Sequence, residues 1–209
     1  MNGNGQITQL HSFQGTTLHT AQWDDSINWD GKRVAVIGNG SSAIQLLSQM
    51  QKSASQITTY LRSPTWISSN HTAHFAKDGR NFPYTEEEKR EFPTLRDMFE
   101  ADMKKRLKND PHLCAKLVPD WDVGCRRLTP GDGYLESLLE KNVGVEFGDI
   151  ERITPKGIQN ANCEKQFDII VCATGGYGEF RRGQRVHRLQ SGILNQKGVD
   201  KRLSLVVQE

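Results

Sequence analysis

The sequence is poor in apolar residues: 35% of its 209 positions are hydrophobic and the mean hydropathy is -0.63. No stretch approaches the roughly 20 apolar residues that cross a bilayer, so stable membrane insertion is not expected. Residues 1–10 are polar and rich in Gly and Asn. They lack the apolar core of a signal peptide. Cysteine is scarce. Cys114, Cys125, Cys163 and Cys172 form no C-x-x-C pair and no metal-like spacing, which reads as reduced thiols in a cytoplasmic protein. His71, His74, His112 and His187 show no metal spacing either. A dominant charge is also missing, since the formal net charge is +2. From Arg181 onward there are seven Lys/Arg and two Asp/Glu, against 20 and 23 before it. The basic excess belongs to the tail, which argues against a nucleic-acid-binding body. No internal repeat is visible. A complete α/β enzyme is usually richer in apolar residues, so loop-rich or incomplete parts are expected.

What is there is a compact pattern in the middle. Arg33-Val34-Ala35-Val36-Ile37-Gly38 is a short β-branched run ending in glycine, which reads as a buried strand. Ala43, Leu46, Leu47 and Met50 recur at helical spacing in Ser41 to Lys52. Ile57 to Leu61 is a second strand. Strand, glycine turn, helix, strand is a βαβ unit. Thr85 to Asn109 places Phe92, Leu95, Met98, Phe99, Met103 and Leu107 three or four apart, an amphipathic helical pattern interrupted by Pro93. Pro111 to Pro130 reads as loop, Tyr134 to Lys141 as a short helix, and Val143 to Phe147 and Phe167 to Ala173 as strands. Cys172 falls in an apolar run and reads as core. Leu203 to Val207 is a candidate short strand in the tail.

Gly38-Asn39-Gly40-Ser41-Ser42-Ala43 fits G-x-G-x-x-A between strand and helix. Gly38 permits the tight turn. Gly40 leaves room for a pyrophosphate, and Ala43 lets helix pack on strand. The helix N-terminus offers free N–H groups and a positive dipole end to phosphates, with Ser41 and Ser42 as further donors. The alternative is a mere tight turn, which these flanks disfavour. An NAD site usually carries an acid at the end of the second strand. Here Tyr60-Leu61-Arg62-Ser63 stands instead, and Arg62 suits the 2′-phosphate of NADPH. The alternative for Arg62 is an ordinary surface arginine.

Phe13-Gln14-Gly15-Thr16-Thr17-Leu18-His19-Thr20-Ala21-Gln22-Trp23-Asp24 resembles the fingerprint F-x-G-x-x-x-H-x-x-x-W-[PD] of Baeyer–Villiger monooxygenases at every fixed position. These are class B flavin-dependent enzymes that use FAD and NADPH. Related N-oxygenating enzymes usually carry Phe or Tyr where Trp23 stands. Gly31 to Ser42 resembles the family's NADPH-binding glycine motif, and Arg62-Ser63-Pro64-Thr65-Trp66 the segment that reads the adenosine phosphate. Gly124-Cys125-Arg126-Arg127-Leu128-Thr129-Pro130 resembles the basic pair of the active-site loop. Phe167 to Gly175 resembles the A-T-G strand, which adds Thr174 and Gly175 to the cofactor-binding set. The resemblance covers roughly residues 7–177 and is fungal-like.

The resemblance implies an α/β fold: a Rossmann-like, three-layer NADPH-binding domain with flanking pieces of an FAD-binding Rossmann-like domain. It divides the chain into an inter-domain linker with the fingerprint (1–29) and the NADPH-binding domain (30–155), with a helical insertion at about 70–120. A return strand (156–177) and a basic, poorly ordered tail (178–209) follow. The implied reaction inserts one oxygen atom of O₂ into a ketone, a small organic molecule of steroid or polyketide kind, to give an ester or lactone. Arg127 is the implied catalytic residue, a permanent cation beside developing negative charge, and Arg126 helps hold the 2′-phosphate. Phe13, Gly15, His19, Trp23 and Asp24 are expected to support a hinge rather than do chemistry. From composition alone His19 is more often a structural hydrogen-bonder, and Asp24 is a candidate cap for the next turn. The family's N-terminal FAD glycine motif is absent, so the chain is expected to be a fragment that is inactive alone. N- or S-oxygenation, or an inactive NADPH-binding product, are the alternatives.

Overall fold

The computed structural model describes residues 10–68, 92–125, 128–160 and 163–175. Arg126, Arg127, residues 1–9 and the tail 178–209 lie outside the described residues, as does much of the expected insertion.

The apolar run at Arg33–Ile37 is β2, with four consecutive buried residues, as a strand covered on both faces requires. Helix α1 (Ser41–Met50) turns Ala43, Ile44, Leu46, Leu47 and Met50 into the core. Burial of each large aliphatic among them contributes about 1.5–3 kcal/mol. Gln56–Leu61 is β3. Val143–Phe147 is β6 and Ile169–Cys172 is β10. Together with β1 (Thr16–His19) they form one five-stranded sheet in the order β1-β10-β2-β3-β6. Every neighbouring pair is parallel. This is the expected Rossmann-like α/β arrangement.

The alternation of side chains across the sheet sorts the core into two. Val34, Val36, Ile57, Leu61, Ile169 and Val171 face the helices with α1. Ala35, Ile37, Tyr60, Ile170 and Cys172 face the other way. The third layer is there, but it is not helical. It is an antiparallel meander of β7 (Arg152–Thr154), β8 (Gly157–Asn160) and β9 (Cys163–Gln166), which packs Ile153 and Ile158 against that face. Tyr60 meets Phe167 edge-on at 6.2 Å, and its burial raises the phenol pKa. Lys165 pairs with Glu146 across the layers.

Four sequence readings change. The fingerprint segment, read as linker, contributes β1 to the sheet edge. The strand expected to lead out of the domain, β10, lies inside the sheet, between β1 and β2. Pro111–Leu117, read as loop, is helix α3. Asp110 caps it, accepting from Leu113 N–H at 2.8 Å, and Pro111 fills the first turn, where its missing N–H costs nothing. The helix expected at Tyr134 to Lys141 is the single turn α4 (Tyr134–Ser137). The amphipathic pattern before it is α2 (Phe92–Arg106), which with the turn after it buries Met103 and Leu107 completely.

At the amino edge of the sheet, Arg33 and Asp168 tie β2 to β10. The guanidinium donates to both carboxylate oxygens, at 2.8 and 3.2 Å, and Arg33 N–H donates to the same carboxylate at 2.8 Å. These bonds hold the Asp168 pKa down at about 2. A carboxyl group whose folded pKa is depressed stabilises above its unfolded value and loses that contribution as pH falls through the folded one. The pair is more than a third exposed on both sides, so its worth is on the order of 1 kcal/mol after screening. Asp168→Asn is expected to lower stability by about that much at neutral pH. The gap from the unaltered chain should close between about pH 4 and 2. Denaturant titrations across that range check it, and a gap independent of pH would refute the assignment.

Candidate functional site

The carboxyl ends of β2, β3 and β10 meet at one edge. From β2 the chain runs outward to β3 and β6, then returns to place β10 on the other side of β2. That reversal of strand order falls between the ends of β2 and β10, the position at which open parallel sheets receive ligands. Gly38 leaves β2 at φ +120, and a side chain there would meet the Ala173 carbonyl oxygen at 2.4 Å. Its N–H donates to the Tyr60 carbonyl at 3.0 Å, and Ala173 N–H donates to the Ile37 carbonyl at 2.8 Å. The glycine turn and the Ala173–Gly175 turn are therefore adjacent walls. Gly40 differs, because nothing lies within 4 Å of where its side chain would be. It caps α1 without a side chain, leaving the first-turn N–H groups with no side-chain acceptor. Ser41 and Ser42 are exposed there, while Ala43 is buried against the core.

Arg62 stands exposed just past β3, and among the described residues no ion pair engages it. The Asn39 side-chain amide donates to the Ser63 carbonyl, which fastens the glycine turn to the Arg62 loop. Thr174 and Gly175 are exposed at the end of β10. The structure thus brings Gly38, Gly40, Ser41, Ser42, Ala43, Arg62, Thr174 and Gly175 to one edge. Arg126 and Arg127 lie outside the described residues, and their flanks are pinned. Trp66, buried, donates its indole N–H to the Trp121 carbonyl at 3.0 Å. Thr129 N–H donates to the Trp66 carbonyl and Gly131 N–H to the Ser68 carbonyl, so β4 (Ile67–Ser68) and β5 (Thr129–Pro130) run side by side. Arg106 then grips the Gly131 carbonyl at 2.6 Å while chelating Glu136 at 2.7 and 3.1 Å. Sequence reasoning missed Arg106. Its only signal was a basic residue on an amphipathic helix, shared with many solvated arginines.

The fingerprint residues line the far side of β10. Phe13 is buried in the meander-side core. Gly15 lies so close to Asp168 that a side chain would meet its carbonyl at 2.7 Å. His19 ends β1, buried, and accepts from Ala21 N–H through Nδ1 at 3.1 Å. Burial lowers its pKa, and a hydrogen bond to the Gly175 backbone opposes that. Trp23 meets Trp29 edge-on at 5.9 Å against the helix-side core. Asp24 caps the next turn, accepting from Ser26 N–H at 2.9 Å. Among the described residues no group of three or more His, Cys, Asp or Glu could hold a metal ion. No helix there is long and apolar enough to cross a membrane.

A family model described as flavin-binding monooxygenase-like matches residues 5–180. The FAD-binding monooxygenase tazF of Aspergillus terreus is 40% identical over 84% of this chain and 39% of its own length. A Baeyer-Villiger monooxygenase of Pseudomonas aeruginosa is 30% identical over 81% of this chain and 37% of its own. Among solved structures, an oxidized steroid monooxygenase bound to NADP superposes with a TM-score of 0.67 at 25% identity, covering 81% of this chain and 44% of that one. The chain spans about two fifths of the length of the curated relatives it matches.

The two glycines predict opposite phenotypes. Gly38→Ala adds a side chain at positive φ against a backbone oxygen, so it is expected to destabilise the fold by roughly 2–4 kcal/mol. Gly40→Val meets no protein atom, so thermal stability should change little while nucleotide binding is lost, because the branched side chain fills the phosphate's space. Thermal melts alongside NADP⁺ titrations check both. Unchanged nucleotide affinity in Gly40→Val would refute the cradle.

Proposed function

This chain belongs to the flavin-binding monooxygenase-like family, and from that premise we propose that it carries the NADPH-binding part of an FAD- and NADPH-dependent monooxygenase that inserts oxygen into a ketone. The observation that carries the reading is the helix N-terminus without a side-chain cap at the Gly40 turn, set where the strand order reverses between β2 and β10. The residues fit a dinucleotide. The N–H groups of the first turn of α1 and the Ser41 and Ser42 hydroxyls accommodate a pyrophosphate, and α1 adds the positive end of its dipole. Arg62 supplies a cation at the end of β3, where a 2′-phosphate belongs and where an acid would repel one. The Thr174–Gly175 turn forms the opposite wall. NADPH and FAD, when bound, supply hydride and the activation of oxygen.

The Gly38–Gly40 turn and the N-terminus of α1 serve one dinucleotide, and the chain spans about two fifths of its relatives' length. The complete reaction is therefore assigned to a protein of its relatives' length. The ketone substrate rests on the Trp23-Asp24 end of the fingerprint and on the Baeyer-Villiger names among the relatives. Arg127 is assigned on the same resemblance as the cation that steadies negative charge on the reacting oxygen, and Arg126 as a second hold on the 2′-phosphate. Four unpaired cysteines agree with the cytoplasm as the place of action.

Arg62→Ala should weaken NADP⁺ binding by at least about tenfold, as the loss of a charge-assisted bond implies, and leave the weaker NAD⁺ binding nearly unchanged. Isothermal titration of the full chain with each nucleotide decides it, and equal losses would overturn the 2′-phosphate assignment. With this segment carried in a chain of its relatives' length and supplied with FAD and NADPH, a cyclic ketone should yield its lactone. Arg127→Ala should lower that yield by about a hundredfold or more without loss of NADPH binding. N-oxide from amines with no lactone from ketones would move the protein to the nitrogen-oxygenating branch.

A further inference from the structure

Asn39 lies between the two glycines of the turn, and the proposed function leaves it without a task. The residue before it, Gly38, donates its N–H to the Tyr60 carbonyl at 3.0 Å. The Asn39 side-chain amide reaches further along the same neighbour and donates to the Ser63 carbonyl. The two bonds bracket Leu61 and Arg62. The loop from Arg62 to Thr65 is otherwise held at its ends. At the near end Gly148 N–H donates to the Leu61 carbonyl at 2.9 Å. At the far end Trp66 is buried and is bonded to Trp121 and Thr129. Among the described residues, one hydrogen bond reaches the backbone of residues 62–65 from outside, and it is the one from Asn39. Pro64 adds a restriction, because the residue before a proline is kept extended, which limits where the Ser63 carbonyl can point.

Arg62 is exposed, and among the described residues no ion pair fixes its side chain. The backbone beneath it therefore sets where its charge can stand. We infer that Asn39 is a specificity-determining positioning residue, whose amide holds the Arg62 loop at a set distance from the first turn of α1. The inference rests on the NADPH reading for the identity of the ligand, while the tether from Asn39 to Ser63 does not. Each end of the tether adjoins one half of the proposed dinucleotide site. Gly40 and the N-terminus of α1 follow Asn39 and take the pyrophosphate. Arg62 precedes Ser63 and takes the 2′-phosphate. A loop free to shift keeps its arginine but must be ordered when the ligand arrives, a cost that binding then has to offset. That cost falls on the nucleotide that uses Arg62. NAD⁺ has a hydroxyl in place of the 2′-phosphate and loses little. An amide suits the position because it donates a hydrogen bond without carrying charge. A carboxylate there would place negative charge beside the phosphates.

A double-mutant cycle in the full chain tests the role. Asn39→Ala is expected to weaken NADP⁺ binding roughly three- to tenfold, the scale of one lost hydrogen bond, and to leave NAD⁺ binding within about twofold. In an Arg62→Ala background the same substitution should change NADP⁺ binding by less than about twofold, because the two residues act through one contact. The tether is tested without nucleotide by limited trypsin digestion, with cleavage after Arg62 followed by mass spectrometry. Freed from Asn39, the loop should open more often, so that Asn39→Ala is cut there about threefold faster or more. Asn39→Asp keeps the side-chain shape without the donor and should show the same faster cleavage. An unchanged cleavage rate in both variants overturns the tether. Equal loss of both nucleotides in Asn39→Ala, no loss of either, or an undiminished loss in the Arg62→Ala background overturns the positioning role. In each of these cases the NADPH reading stands as long as Arg62→Ala alone still separates NADP⁺ from NAD⁺. If Arg62→Ala weakens both nucleotides equally, the 2′-phosphate assignment falls and the role built on it falls too.

Discussion

The arrangement depends on one constraint: β10, which comes last among the described strands, must enter the sheet between the first two, β1 and β2. Parallel strands close little by local turns, so this insertion is a long-range step whose loop-closure entropy must be offset by contacts made on arrival. The contacts are there at each end. Arg33 and Asp168 join β2 to β10 at the amino edge. Gly38 lets the Ala173 carbonyl approach at the carboxyl edge. On the other flank, Gly15 does the same for Asp168, and β1 pairs along the whole of β10. Remove the insertion and the sheet has no reversal of strand order beside the glycine turn.

How much of this the sequence revealed follows from how local each signal is. The β2–α1–β3 unit was legible because two buried runs and one helical stripe lie within thirty residues and bracket their own glycine turn. The meander was not. Its strands are three or four residues long, and β9 exposes polar side chains, so alternation never accumulates over enough positions to stand out. The Pro155-Lys156 link between β7 and β8 was the available hint. Helix α3 was overlooked for a different reason. Asp110-Pro111 is a start signal, but the seven residues after it hold only Leu113 and Leu117 buried, too narrow a stripe to register. Thr16-Thr17-Leu18-His19 reads as polar because it is an edge strand, and edge strands have one wet side.

The site divides along the same line. Gly38, Gly40, Ser41, Ser42, Ala43 and Arg62 could be read from the unit that carries them. Thr174, Gly175 and the fingerprint entered through a resemblance, and no spacing rule would have joined them. The register of His19 with Cys172 spans most of the chain, and it exists only because β1 and β10 are neighbours. Arg106 is the same case. Its grip on Gly131 and Glu136 is a product of how α2 docks, and the helix sequence alone presents it as one more exposed charge.

The placement of charge shows why these long-range ties can coexist with a binding edge. Among the described residues, ion pairs tie separate elements of the fold together. Arg33 meets Asp168 at the amino edge, Lys165 meets Glu146 over the meander, and Arg106 meets Glu136 on the helical side. At the carboxyl edge the donors lack acidic partners: the first turn of α1, the Ser41 and Ser42 hydroxyls and Arg62. An acid beside Arg62 would improve the empty fold by a surface ion pair, worth at most about 1 kcal/mol. It would also neutralise the charge that a phosphate requires and add repulsion against it. Ion pairs thus join strands and helices, while Arg62 and the first turn of α1 have no acidic partner among the described residues.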